Sequence, residues 1–141
     1  MKKALNISLV YAIAAMAAGV FYREFTKWNG FSGVTVLGKV HTHLFLLGMG
    51  MFLMVSLFAS QLDLAKNKTF RAFLCVYNIG VPLMAVMMLV RGIMQVKNVA
   101  LSKGADASIS GMAGIGHILT GVGIILFLFS LKKAATQERS H

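Results

Sequence analysis

The chain has 141 residues, 57% of them hydrophobic and 13% charged, with 14 Lys and Arg against 4 Asp and Glu. Soluble domains carry about 25% charged residues, and a soluble core of this size has too little interior to hide so much apolar surface. The formal charge of +10 would suit nucleic acid only if the basic groups formed one patch; they fall between apolar runs instead, which argues against nucleic acid and for a lipid bilayer.

Spanning a hydrocarbon core takes roughly 20 apolar residues in a helix, and four segments qualify, predicting an all-α integral membrane protein built as a four-transmembrane-helix bundle. The first span runs over about 4–22, between Lys2–Lys3 and Arg23. A basic start and an apolar run also describe a signal peptide, but this run continues through Val20, Phe21 and Tyr22, past the usual signal core of about 7–15 residues. A retained anchor is expected, and its small pair Ala15 and Gly19 permits close helix contact. Trp28 in the following loop suits an interfacial anchor.

The second span covers about 36–60 and holds His41 and His43 near its start. The third covers about 72–90 and contains Cys75, Tyr77, Asn78 and Pro82. Proline is tolerated in a transmembrane helix, Cys75 reads as a small inert hydrophobe, and Tyr77 with Asn78 reads as a hydrogen-bonding pair between helices or a proton relay, glue being the simpler role. The fourth covers about 109–131 and holds His117. Residues 1–133 make one domain, and 134–141 a polar, frayed tail in which His141 is solvated.

Orientation follows from the basic residues. With both termini in the cytoplasm, eight fall inside (Lys2, Lys3, Lys66, Lys68, Arg71, Lys132, Lys133, Arg139) and six outside (Arg23, Lys27, Lys39, Arg91, Lys97, Lys103). The expected location is a cytoplasmic membrane of bacterial type.

The histidines carry the functional signal, because ionisable groups inside a membrane span are costly and face a partner. The second and fourth helices run in the same direction, and His43 and His117 fall at matching depth in the outer half of the bilayer. Two neutral imidazoles from facing helices are what an axial pair on a haem iron requires. Around His117 stand Ala113, Gly114, Thr120 and Gly121, a face stripped of bulk as a flat macrocycle needs. His41 and His43 are two apart and point about 200° from one another, so only one of them can join His117. Depth favours His43; the small neighbours Gly38 and Gly48 favour His41. The pair expected is His43 with His117. Lys39 and Arg91 close the outer ends of the second and third spans, where haem propionates would meet cations, although snorkelling alone accounts for such residues. Without Cys-x-x-Cys-His, the haem expected is non-covalent and b-type.

The stretch from Val40 to Gly48, with His41-Thr42-His43 at its head, resembles the His-x-His helix of subunit I in haem-copper oxygen reductases and nitric oxide reductases. That resemblance implies opposite directions for the two histidines, with His41 in the active-site haem position and His43 in the low-spin position. Gly38 to Thr42 also resembles the family's other low-spin ligand helix, which would give His41 that role, so the resemblance does not choose between them. It covers about ten residues of four helices where the family has about twelve, and no histidines remain for its second metal centre. In size and helix layout the chain also resembles small bacterial four-helix membrane proteins.

The function expected is therefore membrane haem binding for electron transfer or haem sensing, rather than a stand-alone enzyme, with a redox partner protein or a second copy of the chain as possible company. Two alternatives stand beside it. Met49, Met51, Met54, Met84, Met87 and Met88 with imidazole would suit copper, though methionine is also an ordinary filler of apolar interiors. A structural or assembly subunit would use the histidines only for hydrogen bonds across helices. All four carboxylates (Glu24, Asp63, Asp106, Glu138) lie outside the spans, and no hydrolytic or phosphate-binding motif is present.

Overall fold

The computed structural model describes Lys2 to Glu138, with side chains as far as Thr136, and every regular element among these residues is helical. Arg139 and His141, counted above as a basic inner residue and a solvated tail residue, lie outside the described residues. Helix α1 is Lys2–Trp28, α2 is Leu37–His43, a π-helical segment follows over Leu44–Gly50, and α3 is Met51–Gln61; α4 is Lys68–Val96 and α5 is Lys103–Glu138. α2, the π segment and α3 form one continuous crossing, Leu37–Gln61, and all four crossings are long and apolar enough to span a bilayer.

α1, α4 and α5 outrun their apolar stretches, because a backbone that satisfies its own hydrogen bonds has no reason to unwind where lipid gives way to headgroups. α1 continues through Arg23, Glu24 and Lys27. α5 continues through the stretch expected to fray, where Ala134 is buried beside Phe70, Phe73 and Phe127. At the end of the bundle that carries Trp28 and Lys97, called outer after the orientation expected from the sequence, α1 and α4 close alike: Phe31 N bonds Thr26 O at 2.9 Å and Gly30 N bonds Lys27 O at 3.1 Å, while Val99 N bonds Met94 O at 3.1 Å and Asn98 N bonds Gln95 O at 3.2 Å. Both motifs need a left-handed residue, supplied by Gly30 at φ 58° and Asn98 at φ 53°.

α1 packs on the second crossing, the second crossing on α4, and α5 along α4. The closest approaches are made by glycines. A Cβ on Gly116 would lie 2.7 Å from Met84 N, and one on Gly80 would lie 2.7 Å from Thr120 N, so α4 and α5 touch backbone to backbone. Gly92 brings α4 equally close to Leu37 at the head of α2. There Val36 N donates to Gln95 Oε1 at 2.9 Å, and Thr35 Oγ1 lies 3.2 Å from Gly92 O. These contacts pin the outer end of the second crossing to α4. The inner half of the bundle is filled by aromatic rings: Phe73 lies 5.2 Å from Tyr77 and 4.9 Å from Phe127, and Phe52 lies 6.1 Å from Tyr77.

The π segment is the departure from regularity. Its widened turns present carbonyls to outside donors, and two buried side chains take them: Ser8 of α1 donates to Met49 O at 2.9 Å, and Tyr77 of α4 donates to Leu47 O at 2.8 Å. Tyr77 is thus bonded to the second crossing, while its neighbour Asn78 bonds Leu74 O within α4 at 2.7 Å. Segments of π winding are rare and concentrate at functional sites; this one begins at the residue after His43.

Candidate functional site: a histidine pair between the second and fourth crossings

His43 ends α2 and His117 lies in the outer half of α5. Since both helices are fastened to α4, their separation is fixed by α4 and by the close contacts at Gly92 and Gly116. The two imidazole centres stand 6.2 Å apart with the ring planes at 82°. His43 is half-buried and His117 exposed, so the pair opens to one flank of the bundle.

Each imidazole is oriented by its own helix. His43 Nδ1 lies 2.8 Å from Lys39 O, and His117 Nδ1 lies 2.7 Å from Ala113 O. A carbonyl oxygen only accepts, so Nδ1 carries the proton in both rings, and in the neutral imidazole Nε2 is then the nitrogen with the lone pair. This is the tautomer a metal-ligating imidazole adopts when its other nitrogen is held by a carbonyl.

The glycines around the pair divide into two kinds. Gly111, Gly114 and Gly121, on α5 beside His117, would carry a Cβ into open space, with nothing within 4 Å. Gly38 and Gly48, on the second crossing, are packing glycines: a Cβ on Gly38 would meet the Tyr22 ring at 3.0 Å, and one on Gly48 would collide with Tyr11. The α5 face is stripped without a neighbouring side chain filling the space, and so is Gly50 of the second crossing, whose Cβ would meet only the Phe45 carbonyl at 3.4 Å.

His41 faces away from the pair. Its ring packs against Gly19 of α1, 3.6 Å from where that glycine's Cβ would be, and its Nδ1 is buried without a hydrogen-bond partner. The structure therefore places His43, and not His41, beside His117.

Of the two cations expected at the outer edge, Arg91 is engaged. Its guanidinium pairs with Asp106 Oδ1 at 3.0 Å and donates to Asp106 O at 3.1 Å and Ser110 Oγ at 2.6 Å. Arg91 thus ties the outer ends of α4 and α5 together, and Asp106 offsets its charge. The Asp106 partnership escaped the sequence reading because these residues lie on different helices with no shared motif. Lys39 is exposed at the outer end of the second crossing and supplies the carbonyl that orients His43.

The methionines do not gather at the pair: Met84 and Met88 are core residues, and Met54 is exposed. Among the described residues no three His, Cys, Asp or Glu side chains converge as a metal site. Cys75 is exposed on α4.

The model of one protein family, described as "Protein of unknown function (DUF2871)", matches residues 1–134. No curated protein and no solved structure matches the chain.

Proposed function

The chain belongs to the DUF2871 family, and we propose that it is a membrane b-type haem protein whose iron is held by His43 and His117. The separation of the two rings carries this reading. An imidazole nitrogen bonds a metal at about 2.0 Å, and two such rings on opposite sides of one ion have their centres roughly 6 Å apart; the observed separation is 6.2 Å. The fixed tautomers and the open space beside Gly114 and Gly121 support the same ligand, since a macrocycle needs both free Nε2 atoms and a flat clearance. A bare copper ion bridging the rings would accept the same separation but would not need the clearance.

A purely structural role is less well supported, because both imidazoles bond within their own helices and not across the bundle.

Held by His43 and His117, such a haem would supply one-electron redox chemistry. The residues of this chain would hold, orient and flank it. Electron transfer or haem sensing fits this arrangement better than catalysis at the iron, with a redox protein or a second copy of the chain as partner. We further place the protein in a bacterial-type cytoplasmic membrane with both termini inside. A tag after Lys133 should then be protected in intact cells and one at Gly104 accessible; the reverse pattern would invert the topology without separating the two histidines.

The deciding experiment is the visible spectrum of protein purified in mild detergent from haem-sufficient cells. A low-spin spectrum that sharpens on reduction is expected, with the haem extracted by acidic organic solvent because no covalent bond holds it. Colourless protein that stays colourless on titration with haemin would end the proposal.

A further inference from the structure

A second site lies at the opposite end of the bundle. A cavity of about 430 Å³ opens between α1, the inner end of the second crossing and the start of α4. Its body is apolar, formed by Ala4, Phe52, Ala59 and Phe70, while Lys3, Asp63 and Asn78 add an ammonium, a carboxylate and a carboxamide. The bond from Asn78 Nδ2 to Leu74 O orients that carboxamide. Asp63 is exposed and paired with Lys66 at 2.9 Å, which marks the water boundary. The volume falls in the range of small-molecule sites, about 300–1,000 Å³, and an apolar body with a few polar groups is their usual composition.

A groove of almost equal volume, about 440 Å³, lies on the outer half between α1, α2 and α4, and its lining is wholly apolar, including Ala14, Phe21, Val40 and Ala85. Size therefore does not distinguish the two; chemistry does. The outer groove offers an acyl chain all it requires. The inner cavity offers aromatic walls to a flat ring and polar groups to oxygens on that ring, at a depth reached from the bilayer.

We propose that the inner cavity binds the ring of a membrane-soluble quinone, with its apolar tail directed into lipid. The binding site stands on the cavity alone; its role as the electron partner of the histidine-held haem rests on the proposed function. Packed aromatic rings connect the two sites. Phe52 and Phe70 wall the cavity, Phe52 lies 6.1 Å from Tyr77, Phe70 reaches Tyr77 through Phe73 at 5.7 and 5.2 Å, and the Tyr77 hydroxyl bonds Leu47 O, four residues past His43. Along the helix Phe52 is nine residues past His43, at most about 14 Å at the α-helical rise.

The test is equilibrium binding of a short-chain benzoquinone to the full-length protein in detergent, with a phospholipid of matched chain length as competitor. One saturable quinone per chain is expected. Ala59→Phe, which fills the cavity, and Asn78→Leu, on an exposed position, should each weaken binding at least tenfold; unchanged helicity and thermal transition would show that both fold. His117→Ala should bind quinone as the wild type does, so loss of haem and loss of quinone are separable results. The proposal is overturned if binding does not saturate, if phospholipid displaces the quinone at equal concentration, or if folded Ala59→Phe and Asn78→Leu bind as tightly as the wild type.

Discussion

His117→Ala protein, purified from haem-sufficient cells, is expected to lack the low-spin spectrum entirely. No other histidine lies in α5 among the described residues, and the imidazole nearest the vacated position is His43, which can fill only one side of an iron. His43→Ala should lose the same spectrum, because His41 cannot replace it: that ring lies against Gly19 on the α1 side of the helix. His41→Ala should therefore keep the haem. Its effect on stability should be small, since truncation removes a buried nitrogen with no partner, whose burial costs about 1–3 kcal/mol, and offsets part of the lost packing. Haem retained by His117→Ala would refute the assignment, and haem lost only in His41→Ala would move the site to the other face of the second crossing.

The second large effect separates two glycines that sequence alone treats alike. Gly114→Leu places a side chain where nothing stands within 4 Å, and leucine is favoured over glycine in a helix by somewhat under 1 kcal/mol. The variant should fold at least as well as the wild type, while the leucine occupies the clearance beside His117 and haem affinity falls at least tenfold. Gly116→Leu acts on the fold instead. Its Cβ would meet Met84 N at 2.7 Å and Met84 Cα at 2.9 Å. Backbone cannot step aside as a flexible side chain can, so α5 must move off α4, at a cost of about 1–3 kcal/mol or more. Thermal unfolding in detergent should fall for Gly116→Leu and not for Gly114→Leu, while haemin titration should be impaired in both. If Gly114→Leu takes up haem like the wild type, no macrocycle lies on that face.

The helices were legible because membrane spans are written in composition. Uninterrupted apolar runs bounded by Lys, Arg and Asp place four crossings without any knowledge of their neighbours; where a helix stops is a separate matter, and α1, α4 and α5 run on past their apolar stretches. The histidine pair was legible in part for a geometric reason: residues at equal depth on parallel helices can meet. Whether they do depends on rotation about each helix axis, which α4 sets through Gly92 and Gly116. The same limit concealed the fate of Arg91, whose partner Asp106 sits on the next helix.

One irregularity left a trace that spacing could have revealed. Val40, Leu44, Gly48, Phe52 and Ser56 are buried at strict intervals of four. On an α-helix each such step drifts about 40° around the axis, so a stripe of this period wanders off its face within two turns. Wider winding over Leu44–Gly50 cancels much of the drift.

The π segment has a bearing on how this protein can change over evolutionary time. Its widened turns absorb a surplus residue, so that the outer half, with His41 and His43, and the inner half, with Phe52 and Val55, are each in register with their own neighbours. Loss of a single residue between Leu44 and Gly50 would return the crossing to α winding with the two halves still close to their present phase, because six α steps of about 100° turn the chain nearly as far as seven wider ones. Ser8 and Tyr77, whose hydroxyls hold Met49 O and Leu47 O, would lose their acceptors in the same event. A chain one residue shorter in this stretch would therefore keep both packed halves and give up these two bonds, so a single-residue deletion should be better tolerated here than elsewhere in the crossing.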